Sequence, residues 1–228
     1  MSNGNKQQDL PISKYIGRSM GALARALRKL FAGRNQFHPM DQVQLALVIP
    51  LADQAACEVT RLQVEILRKY GRNPGLEAFP HITLKMGFRA TDIRPFEEFV
   101  EKLASEIPPF EITVNGFDSF DDGILFLNVE ENRILKNLRQ RILGELSTNH
   151  GVQAEPIEGA QFRFHITMAY GFSPSEFQTL RKVYASRELR FTFRASHIDL
   201  FCHTGQQWVT YAHALLRNCP HSIEPLRL

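Results

Sequence analysis

The chain has little of what staples or anchors a fold. Cysteine occurs only three times in 228 residues, as Cys57, Cys202 and Cys219, widely spaced and without a C-x-x-C pair. This argues against a disulfide framework and against a thiolate zinc site, and makes a reducing cytoplasm the expected compartment. No run approaches the roughly 18 uncharged apolar residues of a membrane-spanning helix, so contact with a membrane is not expected. Neither G-x-G-x-x-G nor G-x-x-x-x-G-K-[ST] is present, which leaves dinucleotide and P-loop chemistry without support. The H-E-x-x-H signature of zinc proteases is missing as well. Net charge is small: 27 Lys and Arg against 24 Asp and Glu give +3, and the pI is near 8.8. Such a balance tolerates a phosphate-bearing partner without demanding one. With 43% hydrophobic and 22% charged residues, the composition is that of an ordinary globular protein, long enough for one large domain or two tightly packed lobes.

What the chain does have is one short stretch written twice. Residues 81–88 read His-Ile-Thr-Leu-Lys-Met-Gly-Phe and residues 165–172 read His-Ile-Thr-Met-Ala-Tyr-Gly-Phe. Five of the eight positions coincide. Eight histidines and ten threonines generate about 0.35 His-x-Thr pairs by chance, so a single pair means little. Two copies with shared flanks ask for a duplicated active-site element. In an extended chain, side chains alternate between faces. Phe79, His81, Thr83 and Lys85 then share one face and Ile82, Leu84 and Met86 the other. In the second copy Arg163, His165, Thr167 and Ala169 alternate with Phe164, Ile166 and Met168. Each copy reads as a strand that buries an aliphatic row and presents an imidazole beside a hydroxyl.

The rest of the chain supplies elements on either side of these strands. Met1 to Pro11 is polar. Over 12–32 an apolar stripe (Ile16, Met20, Leu23, Leu27, Leu30) alternates with Lys14, Arg18, Arg25, Arg28 and Lys29, predicting a basic amphipathic helix. Its charges spoil it as a secretory signal. Packing on the domain is the default use of such a stripe; contact with nucleic acid or with a membrane interface would use its basic face. Residues 1–40 are therefore read as an N-terminal extension, 41–216 as the folded domain and 217–228 as a tail without periodicity. Within the domain the patterns predict a strand over 43–49, a helix over 52–70 (Val59, Leu62, Ile66 and Tyr70 inward), the first His strand, and a helix over 93–107 stopped by Pro108-Pro109. Strands over 110–117 and 123–130 follow, turning at Asp121-Asp122-Gly123. A helix over 133–147, N-capped by Asn132, carries Ile134, Leu138, Ile142 and Leu146 inward. The second His strand, a short helix opened by Ser173-Pro174, and strands over 189–201 and 207–216 complete the domain. This near-repetition argues for an α+β fold of two pseudo-symmetric lobes with largely antiparallel sheets. A monomer is expected.

Two imidazoles and two hydroxyls facing one another suit displacement at phosphorus. An imidazole titrates near 6.5, so one can accept a proton while the other donates one. The threonine hydroxyls can donate to the non-bridging oxygens. Lys85 and Arg163, one on each copy, are the candidates for charge-assisted contacts to phosphate. Neither repeat contains Asp or Glu, so no metal and no cofactor are expected there. The other histidines (38, 150, 197, 203, 213 and 221) have no partner spacing that sets them apart.

Two His-x-Thr motifs about 80 residues apart, each continuing into an apolar strand, resemble the two-histidine phosphoesterase superfamily. That superfamily includes the bacterial 2′–5′ RNA ligase (LigT) family of RNA 2′,3′-cyclic phosphodiesterases. The resemblance spans about 41–216; the basic N-terminal helix is a departure from it. It implies two lobes around a central groove and a metal-free reaction. His81 would be the general acid, His165 the general base, and Thr83 and Thr167 the phosphate ligands, with Phe88 and Phe172 in packing roles. The implied substrate is an RNA end or a small nucleotide bearing a 2′,3′-cyclic phosphate, opened to a 2′-phosphate. A 2′–5′ oligoadenylate or a cyclic oligonucleotide is the alternative within the class, and a non-catalytic RNA-binding module the alternative outside it. Base recognition would fall to loops such as 71–80 and 150–161.

Overall fold

The computed structural model describes residues 42–120, 123–159 and 161–217. The helix expected over 12–32, the turn residues Asp121-Asp122 and the tail from 218 onward lie outside the described residues. The element order is β1 (Val43–Pro50), α1 (Asp53–Tyr70), β2 (His81–Ala90), α2 (Arg94–Glu106), β3 (Phe110–Phe120), β4 (Ile124–Val129), α3 (Arg133–His150), β5 (His165–Ala169), α4 (Pro174–Ala185), β6 (Arg190–Ala195), β7 (His197–His203) and β8 (Trp208–Leu215). Short 3₁₀ turns at Pro74–Leu76 and Pro156–Glu158 interrupt the two loops that lead into the His strands.

The strands form two four-stranded sheets, ordered β2-β1-β7-β8 and β5-β4-β3-β6, with every pairing antiparallel. Each His strand is an edge strand, and the two edges β2 and β5 face one another. Each pairs inward with the strand that precedes it: Val48 lies opposite Thr83 and Phe126 opposite Thr167. Helices are exchanged between the sheets. The helix α1, which follows β1, packs on β5 and β6, while α3, which follows β4, packs on β2. The fold is α+β and built from two related halves, as expected.

Local chemistry sets most boundaries. Asn132 caps α3, its side-chain oxygen accepting from the N–H groups of Ile134 (2.9 Å) and Leu135 (3.1 Å). Ser173 and Glu176 form a reciprocal capping box at α4. Three expectations need correction. The helix predicted over 133–147 runs on to His150, and Ile134 is exposed, with Leu135 buried instead. The single strand expected over 189–201 is two strands, β6 and β7, in different sheets. Ser196 lies at the crossing, so the first sheet draws two of its four strands from the C-terminal end of the chain. The strands after α2 likewise belong to the opposite sheet, so the halves interlock rather than follow one another.

Between the sheets and helices lies one continuous apolar core, in which Leu45, Leu47, Ile49, Ile82, Leu84, Leu125, Leu127, Ile166 and Met168 are essentially inaccessible. The opposite face of β1 is also covered: Ala46 and Val48 pack with Phe201 and Trp208 in a smaller cluster. At Gly75 the loop leading into β2 lies directly against β5. A Cβ there would lie 3.1 Å from the Ala169 Cα and 2.9 Å from Asn73 Oδ1. Gly75→Ala is therefore expected to force the loop off β5 and to cost about 1–3 kcal/mol, read as a lower urea midpoint with an unchanged m-value; an unaffected midpoint would show that the seam yields freely.

Candidate active site

Where the edges of β2 and β5 meet, a cavity of about 240 Å³ opens, lined among others by His81, Thr83, His165, Thr167 and Arg163. Both halves of the repeat thus contribute the same two side chains to one space. The loops leading into the His strands contribute Pro74, Gly75, Glu77 and Ala78 from one side and Ile157, Gln161 and Phe162 from the other. Aromatic walls come from Phe120, Tyr170, Phe201 and Trp208. Tyr170 belongs to the second repeat, but Phe120, Phe201 and Trp208 do not stand out in the sequence, since β3, β7 and β8 reach the site only through sheet pairing.

The two imidazoles are held in the same way. His81 Nδ1 lies 2.6 Å from the carbonyl oxygen of Phe79, and His165 Nδ1 lies 2.8 Å from that of Arg163. A carbonyl only accepts, so Nδ1 carries the hydrogen in both rings and Nε2 is left for chemistry. Each ring also rests on aromatic neighbours: His81 on Phe201 at 5.2 Å, His165 on Phe120 and Phe126, both at 5.1 Å. This enclosure strips water from the rings and disfavours the imidazolium. Desolvation lowers the His81 pKa below its ordinary range, partly offset by the Phe79 carbonyl and the negative charge of Asp199. The same loss of water pushes His165 down to about 4; its carbonyl partner opposes the shift, whereas positive charge on His81 and Arg163 reinforces it. The two rings differ in their charged neighbours: Asp199 favours the imidazolium of His81, whereas Arg163 disfavours that of His165.

Arg163 lines the cavity, stacked over Phe126 at 5.2 Å, and donates to Asp118 (2.6 Å) and Asn128 (3.1 Å). Asp118 therefore neutralises much of its charge and fixes its direction. Lys85 is a different case and requires a correction: it does not face the cavity. Two register irregularities between β1 and β2 fall between Leu45 and Leu47 and between Leu47 and Val48. Between them the alternation is displaced, so that Met86 and Gly87 line the cavity and Lys85 turns inward. Lys85 is 1% exposed, and its ammonium donates to Glu158 Oε2 at 2.7 Å and to the Met86 carbonyl at 3.2 Å. Glu158 also accepts from the N–H groups of Met86 (2.8 Å) and Glu155 (2.9 Å), while its own carbonyl accepts from Arg139 at 2.6 Å. The pair ties the loop before β5 to the strand β2, and Arg139, 3.6 Å from the Phe162 ring centre, sets that wall of the site.

Comparison with known proteins places this geometry. The model of the 2′-5′ RNA ligase superfamily matches residues 50–207. The chain belongs to this superfamily, the two-histidine phosphoesterases. A Geobacillus thermodenitrificans protein named "Putative phosphoesterase" is 32% identical over 126 residues, 54% of this chain and 67% of that protein. A second, from Geobacillus kaustophilus, is 37% identical over 67 residues, 28% of this chain and 39% of its own length. Among solved structures, TT0787 of Thermus thermophilus has a TM-score of 0.56 at 19% identity, covering 76% of this chain and 98% of that one. E. coli LigT in apo form has a TM-score of 0.55 at 16% identity, covering 77% and 98%. These two structures share the fold. Among the described residues no helix is long and apolar enough to cross a membrane.

Since Lys85 is buried against a carboxylate, Lys85→Ala would leave Glu158 unpaired in the interior. The expected loss is about 3–5 kcal/mol of stability, with KM for a phosphate-bearing substrate unchanged at temperatures where the variant is folded. A raised KM without a stability loss would return Lys85 to the binding site.

Proposed function

We propose that this superfamily member is a phosphodiesterase that opens a 2′,3′-cyclic phosphate on an RNA or nucleotide end to a 2′-phosphate, without a catalytic metal. The observation that carries this reading is the matched fixing of the two imidazoles through Nδ1, with His81, Thr83, His165 and Thr167 lining one cavity. In the step, water attacks phosphorus and gives its proton to Nε2 of neutral His165. The P–O3′ bond breaks, and Nε2–H of protonated His81 supplies the proton that the 3′ oxygen takes up. Thr83 and Thr167 donate to the non-bridging oxygens as charge builds on them. The role assignment is supported by the asymmetry of the site. Positive charge on Arg163 helps to keep His165 neutral, as a base must be, whereas Asp199 favours the charged form of His81. An anionic phosphate between the rings favours that form further. Among the described residues Glu77 is the one carboxylate lining the cavity, a donor set poor for a divalent ion and sufficient for acid–base work. E. coli LigT has been crystallised with 3′-AMP and with NADP+, which supports a nucleotide as the substrate class here.

The pH profile follows from the two shifts. In the free enzyme, activity needs His165 deprotonated and His81 protonated. kcat/KM should rise through an acid limb near His165's value of about 4 and fall through a basic limb below the ordinary histidine value of 6.5. Its maximum should therefore lie on the acid side of neutrality, and kcat should peak at higher pH because bound phosphate stabilises the imidazolium. A kcat/KM optimum at about pH 8 or above would contradict the assignment.

Site variants test the paired mechanism directly. His81→Ala and His165→Ala are each expected to lower turnover by roughly 10²–10⁴-fold, with the double variant far short of the product. Thr83→Ala and Thr167→Ala should lose about 10–10³-fold. The assay runs 2′,3′-cyclic nucleotides, RNA ending in a cyclic phosphate, 2′–5′ oligoadenylate and cyclic oligonucleotides side by side in EDTA, with melting curves as a control for folding. Near-wild-type turnover in either His variant, or abolition by EDTA with recovery on adding a divalent ion, would refute the mechanism. Binding of RNA without turnover of any substrate would instead identify a non-catalytic module.

A further inference from the structure

Outside the catalytic pair, the sheet pairing gathers a second set of histidines. His197 and Asp199, two residues apart on β7, share a face of the strand, and Asp199 lies opposite His213 on β8. Asp199 Oδ1 is 2.8 Å from His213 Nδ1 and 3.5 Å from His197 Nε2. One ligand atom from each of the three residues lies within 4.8 Å of the others. A zinc-class ion bound at its usual distances places neighbouring ligand atoms about 3.3 Å apart. The observed spacings bracket that value.

The surroundings orient the three groups as supporting residues do around a metal. Ser196 Oγ lies 2.9 Å from His197 Nδ1, so Nε2 is the ring atom turned toward the cluster. Thr210 Oγ1 donates to Asp199 Oδ2 at 3.1 Å, leaving Oδ1 to face both rings. The Asp199 side chain is 2% exposed and that of His197 12%, whereas that of His213 is 52% exposed. The cluster is thus anchored on the buried side and open to solvent on the other, where water can complete the coordination. Asp53, at the N-terminal end of α1, adds negative charge near His197.

We propose that His197, Asp199 and His213 form a site for a divalent ion of the zinc class, built across β7 and β8. Binding displaces the proton that His213 Nδ1 shares with Asp199, giving two neutral imidazoles and one carboxylate as ligands. The ion braces the outer edge strand β8 against β7. It sits on the face of β7 that also carries Phe201, the ring against which His81 packs, so it adjoins the catalytic cavity without entering it.

The test uses the full chain, stripped with EDTA, freed of chelator, and titrated with Co²⁺ and then Zn²⁺. Expected are one cobalt ion bound per chain with the d–d absorption of a low-coordinate nitrogen and oxygen site, displacement of cobalt by zinc, and a higher Tm in zinc. His213→Gln alters a half-exposed side chain and leaves the core untouched; it should abolish the cobalt spectrum and the zinc-dependent Tm shift. Ser196→Ala should weaken zinc binding about 10–100-fold. A His81→Gln, His165→Gln double variant should keep both signals. Absence of binding by the wild-type chain, retention of the signals in His213→Gln, or their loss in the double variant would each overturn the proposal. These readouts do not involve turnover, so they stand or fall separately from the metal-free reaction.

Discussion

The structure depends on two edge strands, β2 and β5, facing one another, with the turn that leads into β2 pressed too closely on β5 for a side chain. The edges of β2 and β5 approach where Gly75 lies against the backbone of Ala169. Pro74 likewise packs against Gly171, at 3.1 Å from where a Cβ would stand. An edge strand ordinarily presents unpaired backbone groups and is a liability. Here each edge is covered by the other lobe, and the covering brings His81 and His165 into one cavity. The exchange of α1 and α3 between the sheets holds the lobes in this relation, since each helix buries its apolar face on the strands of the other half.

That arrangement explains how ionisable groups are divided between stability and chemistry. Lys85 and Glu158 are both inaccessible and paired, and Glu158 is saturated by Lys85 and by two backbone N–H groups. A buried pair so fully hydrogen-bonded fixes geometry more than it adds net stability. What it fixes are Glu155–Gly159 and Phe162, which belong to one wall of the cavity. The imidazoles are treated in the opposite way: one nitrogen of each is tied to a carbonyl, and the ring is desolvated by aromatic neighbours. The cost of that desolvation appears as lowered pKa values, which leave both rings ready to respond to a bound phosphate.

The sheet topology also accounts for the position of Asp199. Because the chain crosses between sheets at Ser196, β7 enters the first sheet next to β1 and carries Asp199 opposite Val48, with Val48 itself opposite Thr83. Three strands thus align a carboxylate, an apolar spacer and a site threonine on one face. His213 joins from β8 on the far side of Asp199. The negative charge near His81 and the His197–Asp199–His213 cluster are consequences of one register.

Local patterns were enough for the elements that carry their own periodicity or caps. The sequence by itself determined α1, α2 and α3 to within a few residues, the start of α4, the alternation of β1, the α+β class, and the four residues His81, Thr83, His165 and Thr167 as one repeated pair. Period-two and period-3.6 patterns are short-range properties, and a duplicated motif announces itself without a fold. Only the tertiary structure decided where Lys85 points, because two register shifts against β1 displace the alternation on which its groove-facing assignment rested. It also decided that residues 189–201 are two strands in different sheets, since nothing around Ser196 marks the crossing. His197 and His213 are sixteen residues apart in a chain whose histidines show no metal-ligand spacing. They meet on Asp199 because cross-strand register, a property of two strands together, sets which side chains become neighbours.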